Sequence, residues 1–325
     1  MQYRRDRQLK KMKTSQNVTL FGVTISFLVN SLGLFISSSI FSLGLTSAFA
    51  AASSSGAVLP APPTNQSSTS ANPNLDKTKN SSSISAGFLM TVARNTSLYD
   101  HQDGTRKDSL DLLLNPTLSW ASNTLSVKTI YTRDLKDNSA SDWSDTSVAL
   151  LRPLKKWISN SGSSQTWGLS LGAGLPTSKD SSKRQSLLST TTVGTSLTFA
   201  PADPQYGLTV VLGISAIKLF HRYDTALDGK VNNSYGSNQS LLVNLQNGPW
   251  SLSGEFIHKV RISYQNNNKN SFEHTEELGF AINQNLQVAV GHSNSGVANK
   301  ANGETNIEFI DRNESQVYGS LTLSY

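Results

Sequence analysis

The stretch Trp167-Gly-Leu-Ser-Leu-Gly-Ala-Gly-Leu175 alternates apolar side chains with glycine and serine. A period of two is typical of a β-strand whose two faces meet different surroundings. The same alternation recurs, with interruptions, from Ile84 to Tyr325, for example over Tyr206–Ser215 and Trp250–Ile262. We count twelve such segments. The sequence therefore predicts an all-β fold.

The connections between the segments alternate in length. The short ones are 121–123, 200–205, 247–249 and 283–285. The long, polar ones are 97–108, 134–144, 176–185, 221–238, 265–271 and 293–312. The connection 155–165 breaks the alternation, because a short turn is expected there. Short turns at one end and long loops at the other are typical of an outer-membrane barrel. We therefore predict a single closed up-and-down antiparallel transmembrane β-barrel of about 12 strands over residues 83–325, with both chain ends on the short-turn side.

The composition of the two faces indicates which one meets lipid. A soluble β-sandwich also alternates, but its water-exposed face is usually rich in lysine and glutamate. Here the polar face consists mainly of glycine, serine, threonine and asparagine, small groups that suit a narrow, wet interior. Aromatic residues such as Trp120, Trp250 and Tyr264 stand at segment ends, where a membrane–water interface would lie. These features favour a membrane barrel over a secreted sandwich.

The net charge of +6 does not predict a nucleic-acid partner. Residues 1–50 hold six basic side chains and one acidic side chain. The remainder is almost neutral, so the body of the protein has no electrostatic reason to bind phosphate. The chain has no cysteine, which excludes disulfides and thiolate metal sites and suits an oxidising compartment.

The N-terminal residues are typical of an export signal. A basic stretch precedes a long apolar run, and small residues follow. Ala48 and Ala50 fit an A-x-A cleavage site, with the mature chain beginning near Ala51. An uncleaved membrane anchor is the alternative, because the apolar run is long enough to span a bilayer. We predict a cleaved signal peptide over residues 1–50.

A polar segment separates the predicted signal from the first strand. Residues 51–82 are rich in serine, proline and asparagine and contain almost no large apolar side chain. Such a segment cannot bury enough surface to offset its ordering entropy. We predict a flexible periplasmic tail.

The C-terminal segment resembles that of Gram-negative outer-membrane β-barrel proteins. The residues Val317-Tyr-Gly-Ser-Leu-Thr-Leu-Ser-Tyr325 end in an aromatic side chain, with leucine two and four places earlier. In that group such an ending looks like the signal read by the barrel-assembly machinery. The resemblance implies an outer-membrane location and assigns Val317, Leu321, Leu323 and Tyr325 to the assembly signal. A weaker likeness, over residues 168–177, is to outer-membrane transporters linked with phenol-degradation pathways.

The sequence gives no motif for an enzyme, a cofactor or a metal. It contains no phosphate-binding loop, no metal-binding His/Glu motif at helical spacing and no nucleophile elbow,. His258, His274 and His292 fall on the apolar face, each toward a long-loop end. One interpretation is that they form a metal site or a lipid-headgroup site at the outer rim. The interpretation that we favour is that they are interfacial histidines that stay near water. A phospholipase would require a serine and an asparagine or aspartate beside such a histidine, and its local motif is not visible near His258 or His274.

Eight charged residues of the barrel segments fall on the polar face. A charge facing lipid near the middle of the membrane costs about 2–4 kcal/mol, so inward placement agrees with the predicted register. Five acids and three bases could form a polar constriction that selects solutes, or a salt-bridged filling that closes the pore. The predicted lumen residues are Asp111, Lys128, Asp145, Glu255, Lys259, Arg261, Glu273 and Glu277.

The leading functional prediction is an outer-membrane barrel that passes small polar solutes passively. Its other predicted partners are outer-membrane lipid and the barrel-assembly machinery. The alternative is a closed structural or surface-interaction barrel whose outer loops, 221–238 and 293–312, bind a partner. The sequence does not identify the solute. It does not determine the oligomeric state either, and a homo-oligomer is among the assemblies that it allows.

Overall fold

The computed structural model describes residues 19–20, 23–24, 84–100, 106–136, 141–299, 303–311 and 313–325. The predicted cleavage site at Ala48, Ala50 and Ala51 and the predicted tail lie outside the described residues. Within the predicted signal peptide, only a pair of two-residue antiparallel strands, Thr19–Leu20 and Val23–Thr24, is described. No helix among the described residues is long and apolar enough to cross a membrane.

Residues 84–325, as far as the structure describes them, form twelve antiparallel strands in one closed sheet. Each strand pairs with the next along the chain, and the last pairs with the first. The predicted fold class is therefore confirmed. The strands are β1 (Ile84–Ser97), β2 (Asp108–Trp120), β3 (Asn123–Asp134), β4 (Ser141–Trp143, resuming as Thr146–Ile158), β5 (Ser164–Leu175), β6 (Leu187–Ala200), β7 (Tyr206–His221), β8 (Asn233–Asn247), β9 (Trp250–Ser263), β10 (Asn268–Ala281), β11 (Leu286–Val297) and β12 (Gln316–Ser324).

The end of the chain completes the closure of the barrel. The register between β12 and β1 runs from Gln316 opposite Ser97 to Ser324 opposite Leu89. Tyr325 then exchanges two backbone hydrogen bonds with Phe88, each of 2.8 Å. Closure leaves no free sheet edge, which is the condition for strands in hydrocarbon.

The short connections all lie at one end of the barrel, at 121–122, 159–163, 201–205, 248–249 and 282–285. The predicted long connection at 155–165 is wrong: β4 continues to Ile158 and β5 begins at Ser164, which leaves five residues. Alternation fails there because Pro153 lies beside a register shift and the end of β4 is exposed on both faces. The predicted loop 265–271 is also shorter, since the four residues 264–267 join β9 to β10.

The two faces of the sheet differ as the alternation predicts. Outward side chains are exposed and apolar, such as Leu212 at 42% and Leu252 at 53% of full exposure. Inward side chains are buried and mostly small and polar, such as Ser215 and Asn238. An inward apolar cluster, Ala93 with Leu113, is an exception that the sequence did not reveal.

Candidate functional site

Seven of the eight predicted lumen charges stand on the inward positions of four strands. Two strands, β2 and β3, carry Asp111 and Lys128, and the pair β9–β10 carries the other five. Glu255 pairs in register with the buried Thr275, and Lys128 lies two residues from the buried Ser126 on the same face of β3. The seven residues are Asp111, Lys128, Glu255, Lys259, Arg261, Glu273 and Glu277.

The densest group lies on β9 and β10. Lys259 is almost fully buried and its Nζ forms an ion pair with the Glu273 carboxylate. Arg261 Nη1 donates to Asn238 Oδ1 at 2.8 Å and to the carbonyl of Ser237 at 3.1 Å, on the neighbouring strand β8. Gly236 gives Arg261 the room to lie flat against the wall, because a Cβ there would be 2.8 Å from its side chain. These contacts hold the charges in fixed positions.

Lys128 reaches this group from the opposite wall. It interacts electrostatically with Glu255, Glu273 and Lys259. In the closed order of twelve strands, β3 and β9 are six places apart in either direction, so they face each other across the barrel. The charged side chains therefore span the lumen diameter at this level.

A second polar group follows the wall from β10 to β2. The Tyr318 hydroxyl donates to Glu277 Oε2 at 3.1 Å, and Asn95 Nδ2 donates to Asp111 Oδ2 at 2.7 Å. Tyr318 on β12 and Asn95 on β1 are paired in register. Glu277 and Asp111 therefore each bond one member of the same register pair. Sequence reasoning missed both linking residues, although an aromatic side chain at a polar-face position of β12 was a usable signal.

Asp145 stands apart from the other predicted lumen residues. It lies in the break of β4, next to the connection between β5 and β6. Its carboxylate accepts hydrogen bonds from the backbone N–H of Ser178 at 3.1 Å and from Ser181 Oγ at 2.6 Å. Both serines are buried. Asp145 therefore anchors a long loop at the mouth of the barrel.

That loop is joined to the next long loop by a charged latch, formed by Asp180, Arg184 and Asp228. Arg184 bonds both Asp180 and Asp228, the second at 2.7 Å. The hydrogen bond from Arg184 holds the pKa of Asp180 below its ordinary value. The backbone N–H of Lys230 likewise lowers the pKa of Asp228. Sequence reasoning missed the latch, because Arg184 and Asp228 lie 44 positions apart.

The three histidines of the apolar face point outward, as their alternation predicts. His258 Nδ1 lies 2.5 Å from Gln239 Oε1, and His274 Nε2 lies 3.0 Å from Glu276 Oε1. The register places Gln239 and Phe272 beside His258, and Phe256 and Asn294 beside His274. None of these paired positions is a serine, so neither histidine has a paired nucleophile.

The described residues contain no group of three His, Cys, Asp or Glu side chains that could hold a metal ion.

Comparison with known proteins gives structural likenesses alone. No protein family and no curated sequence matches the chain. Among solved structures it is similar to an outer membrane channel from Pseudomonas putida F1, with 9% identity, a TM-score of 0.49, and coverage of 77% of this chain and 100% of that chain. OccAB1 of Acinetobacter baumannii gives 6% identity, a TM-score of 0.40, and coverage of 74% and 96%. Outer membrane phospholipase A of Escherichia coli gives 13% identity, a TM-score of 0.38, and coverage of 77% and 94%.

The expected resemblance to outer-membrane β-barrel proteins is thus found among solved structures. Identities and scores this low assign neither an activity nor a ligand to this chain.

Proposed function

We propose that this protein is an outer-membrane β-barrel that passes small polar solutes passively through a narrow lumen. The contrast between the two faces of one closed sheet carries the proposal: aliphatic side chains cover the outside, and hydroxyl, amide and charged side chains line the inside. Strands in hydrocarbon must pair all their backbone groups, and a closed barrel achieves this. A polar inner face is typical of barrels whose lumen meets water.

The lumen charges indicate the class of solute. Four acids and three bases meet there, so neither sign dominates. Rings of one charge select ions of the other sign, whereas a mixed constriction does not. We therefore expect small neutral or zwitterionic solutes and weak ion selectivity. The acids are Asp111, Glu255, Glu273 and Glu277, and the bases are Lys128, Lys259 and Arg261.

A closed structural barrel is the second candidate, and the burial of the lumen charges favours it. Asp111 is 0% exposed, and Lys259 and Glu277 are each 6% exposed. Small barrels are filled by their own side chains, barrels of sixteen or more strands hold open channels, and twelve strands lie between these limits. In this candidate the outer loops bind a partner.

Single-channel recording in planar bilayers separates the two candidates. We expect small conductance steps from the purified protein and larger steps from the double variant Lys259→Ala, Glu273→Ala, which removes the bridging pair from the constriction. Val290→Ala, on the outward face, is the matched control and should conduct like the unmodified protein. If both the unmodified protein and the double variant fold but neither conducts, the result would contradict the channel and favour the closed barrel.

Export and assembly complete the proposal. The signal peptide over 1–50 directs the chain across the inner membrane, and the barrel-assembly machinery reads the C-terminal segment that ends at Tyr325. The backbone pairing of Tyr325 with Phe88 supports the second step, because the same residues that would be recognised also close the barrel.

A further inference from the structure

The connection between β11 and β12 lies against the outside of the barrel wall. We name its residues 303–311 the strap. Asn294 Nδ2 on β11 donates to the carbonyl of Glu308 at 2.6 Å, and the Phe309 ring meets the His274 ring edge-on, with centroids 5.0 Å apart. Asn306 Nδ2 donates to the carbonyl of Val297 at 3.1 Å. These contacts hold the strap alongside β10 and β11.

The strap covers a polar part of the outward face. His274 is 6% exposed and Asn294 is 2% exposed, although both point away from the lumen. Glu276 and His292 are paired in register just below them. Polar groups that face hydrocarbon without partners cost several kcal/mol each. The strap therefore separates His274 and Asn294 from whatever surrounds the barrel.

The strap exposes three large apolar side chains, together with Glu304 and Glu308. Phe309 is 66% exposed, Ile310 is 57% exposed and Ile307 is 37% exposed. On β11 the outward residue Val290 is 61% exposed, and the outward pair Glu276 and His292 lies between it and the strap. A loop projecting into water would have no reason to present three large apolar side chains together.

The height of the strap follows from the register. Phe280 packs against Trp250 near the short-turn end, with ring centroids 4.7 Å apart, and His274 lies six residues farther along β10. A rise of about 3.3 Å per residue and a tilt of about 40° place His274 about 15 Å above Phe280. The apolar band of such barrels is about 25 Å tall. Phe309, in contact with His274, therefore lies within that band.

We propose that the strap is embedded in the outer leaflet, where Ile307, Phe309 and Ile310 contact lipid acyl chains and restore the apolar surface that His274 and Asn294 interrupt. The inference rests on the proposed membrane location, but not on solute passage. It assigns a lipid-binding role to a long connection that would otherwise be assigned to water or to a protein partner.

Single-cysteine labelling tests the proposal directly, because the chain has no cysteine of its own. A nitroxide is attached to Phe309→Cys or Ile310→Cys in phosphatidylcholine liposomes, and its collision rates with oxygen and with a water-soluble nickel chelate are compared. Val290→Cys is the lipid-facing reference. Leu227→Cys, in the loop between β7 and β8 and 79% exposed, is the water-facing reference.

We expect the strap labels to behave like Val290→Cys, with oxygen collisions dominant. Labels at both strap positions that behave like Leu227→Cys would overturn the proposal. Spin–spin broadening at the strap that disappears on dilution with unlabelled protein would also overturn it, because a second copy would then be the occupant. A water-accessible label at Val290→Cys would instead refute the membrane location on which both proposals stand.

Discussion

Inward glycines determine where large side chains lie in this lumen. At Gly291, an added Cβ would lie 2.2 Å from the ring of Tyr318, which rests across this position while its hydroxyl bonds Glu277. The alternation of the sequence predicted small inward residues in general, but it could not show which glycine receives a ring from the neighbouring strand. That pairing depends on register, which a single strand does not encode.

Gly291→Ala should therefore destabilise the barrel. Overpacking a closely packed site costs about 1–3 kcal/mol, and displacement of Tyr318 would also break its hydrogen bond to Glu277. Gly319→Ala on β12 is the control, because no atom lies within 4 Å of an added Cβ there; its effect should stay within about 0.5 kcal/mol. Urea unfolding in liposomes measures both variants, and equal midpoints would contradict the role of Gly291.

At the scale of elements, the latch joins two long loops and should respond to acid. The pKa of Asp180 is lowered by the hydrogen bond from Arg184, so the folded protein favours the charged carboxylate. Its stabilisation is present above the ordinary pKa of 3.8 and is lost as pH falls through the lowered value. Asp180 holds Arg184 within its own loop, and Arg184 in turn contacts Asp228 of the other loop. We expect the loop that carries Arg184 to stay ordered at neutral pH and to loosen in acid below that value.

Asp180→Asn should loosen the same loop at neutral pH, because it removes the ion pair that holds Arg184 there. The ion pair is partly exposed, so its removal should cost less than about 1 kcal/mol of global stability. The sensitive measurement is proteinase K cleavage within 176–186, which should increase. Lys183→Gln, an exposed neighbour in the short helix Asp180–Arg184, is the control and should be cleaved like the unmodified protein. Unchanged cleavage of Asp180→Asn would show that the latch does not hold the loop.

The elements also show what alternation alone could and could not predict. The approximate number of strands, their order and the face on which each side chain lies followed from the period of two, because each strand repeats the same alternation. The C-terminal end of β4 could not be predicted in this way, since a register shift beside Pro153 interrupts the alternation. The latch and the strap were equally inaccessible, because both depend on contacts between loops or between a loop and the wall. Polar loop composition carries no information about such contacts.

At the scale of the whole molecule, the candidate site exists because the sheet closes into a barrel. Asp111 and Lys128 stand on β2 and β3, whereas the other charges stand on β9 and β10. Parity predicted that all seven face inward. Only the closed order of twelve strands brings Lys128 opposite Glu255 and Glu273, and that depends on a strand count that the sequence gives approximately.

Lys128→Gln tests whether Lys128 faces Glu255 and Glu273 across the lumen. The substitution leaves four acids facing two bases, so the constriction becomes more negative and should favour cations. The reversal potential in a potassium chloride gradient should therefore move toward the potassium equilibrium value. Lys155→Gln removes the same charge from the exposed end of β4, where Lys155 pairs in register with outward Trp167, and should leave the selectivity unchanged. If both variants shifted the reversal potential equally, the charge that matters would lie on the surface, and the lumen could not be the solute path that its register implies.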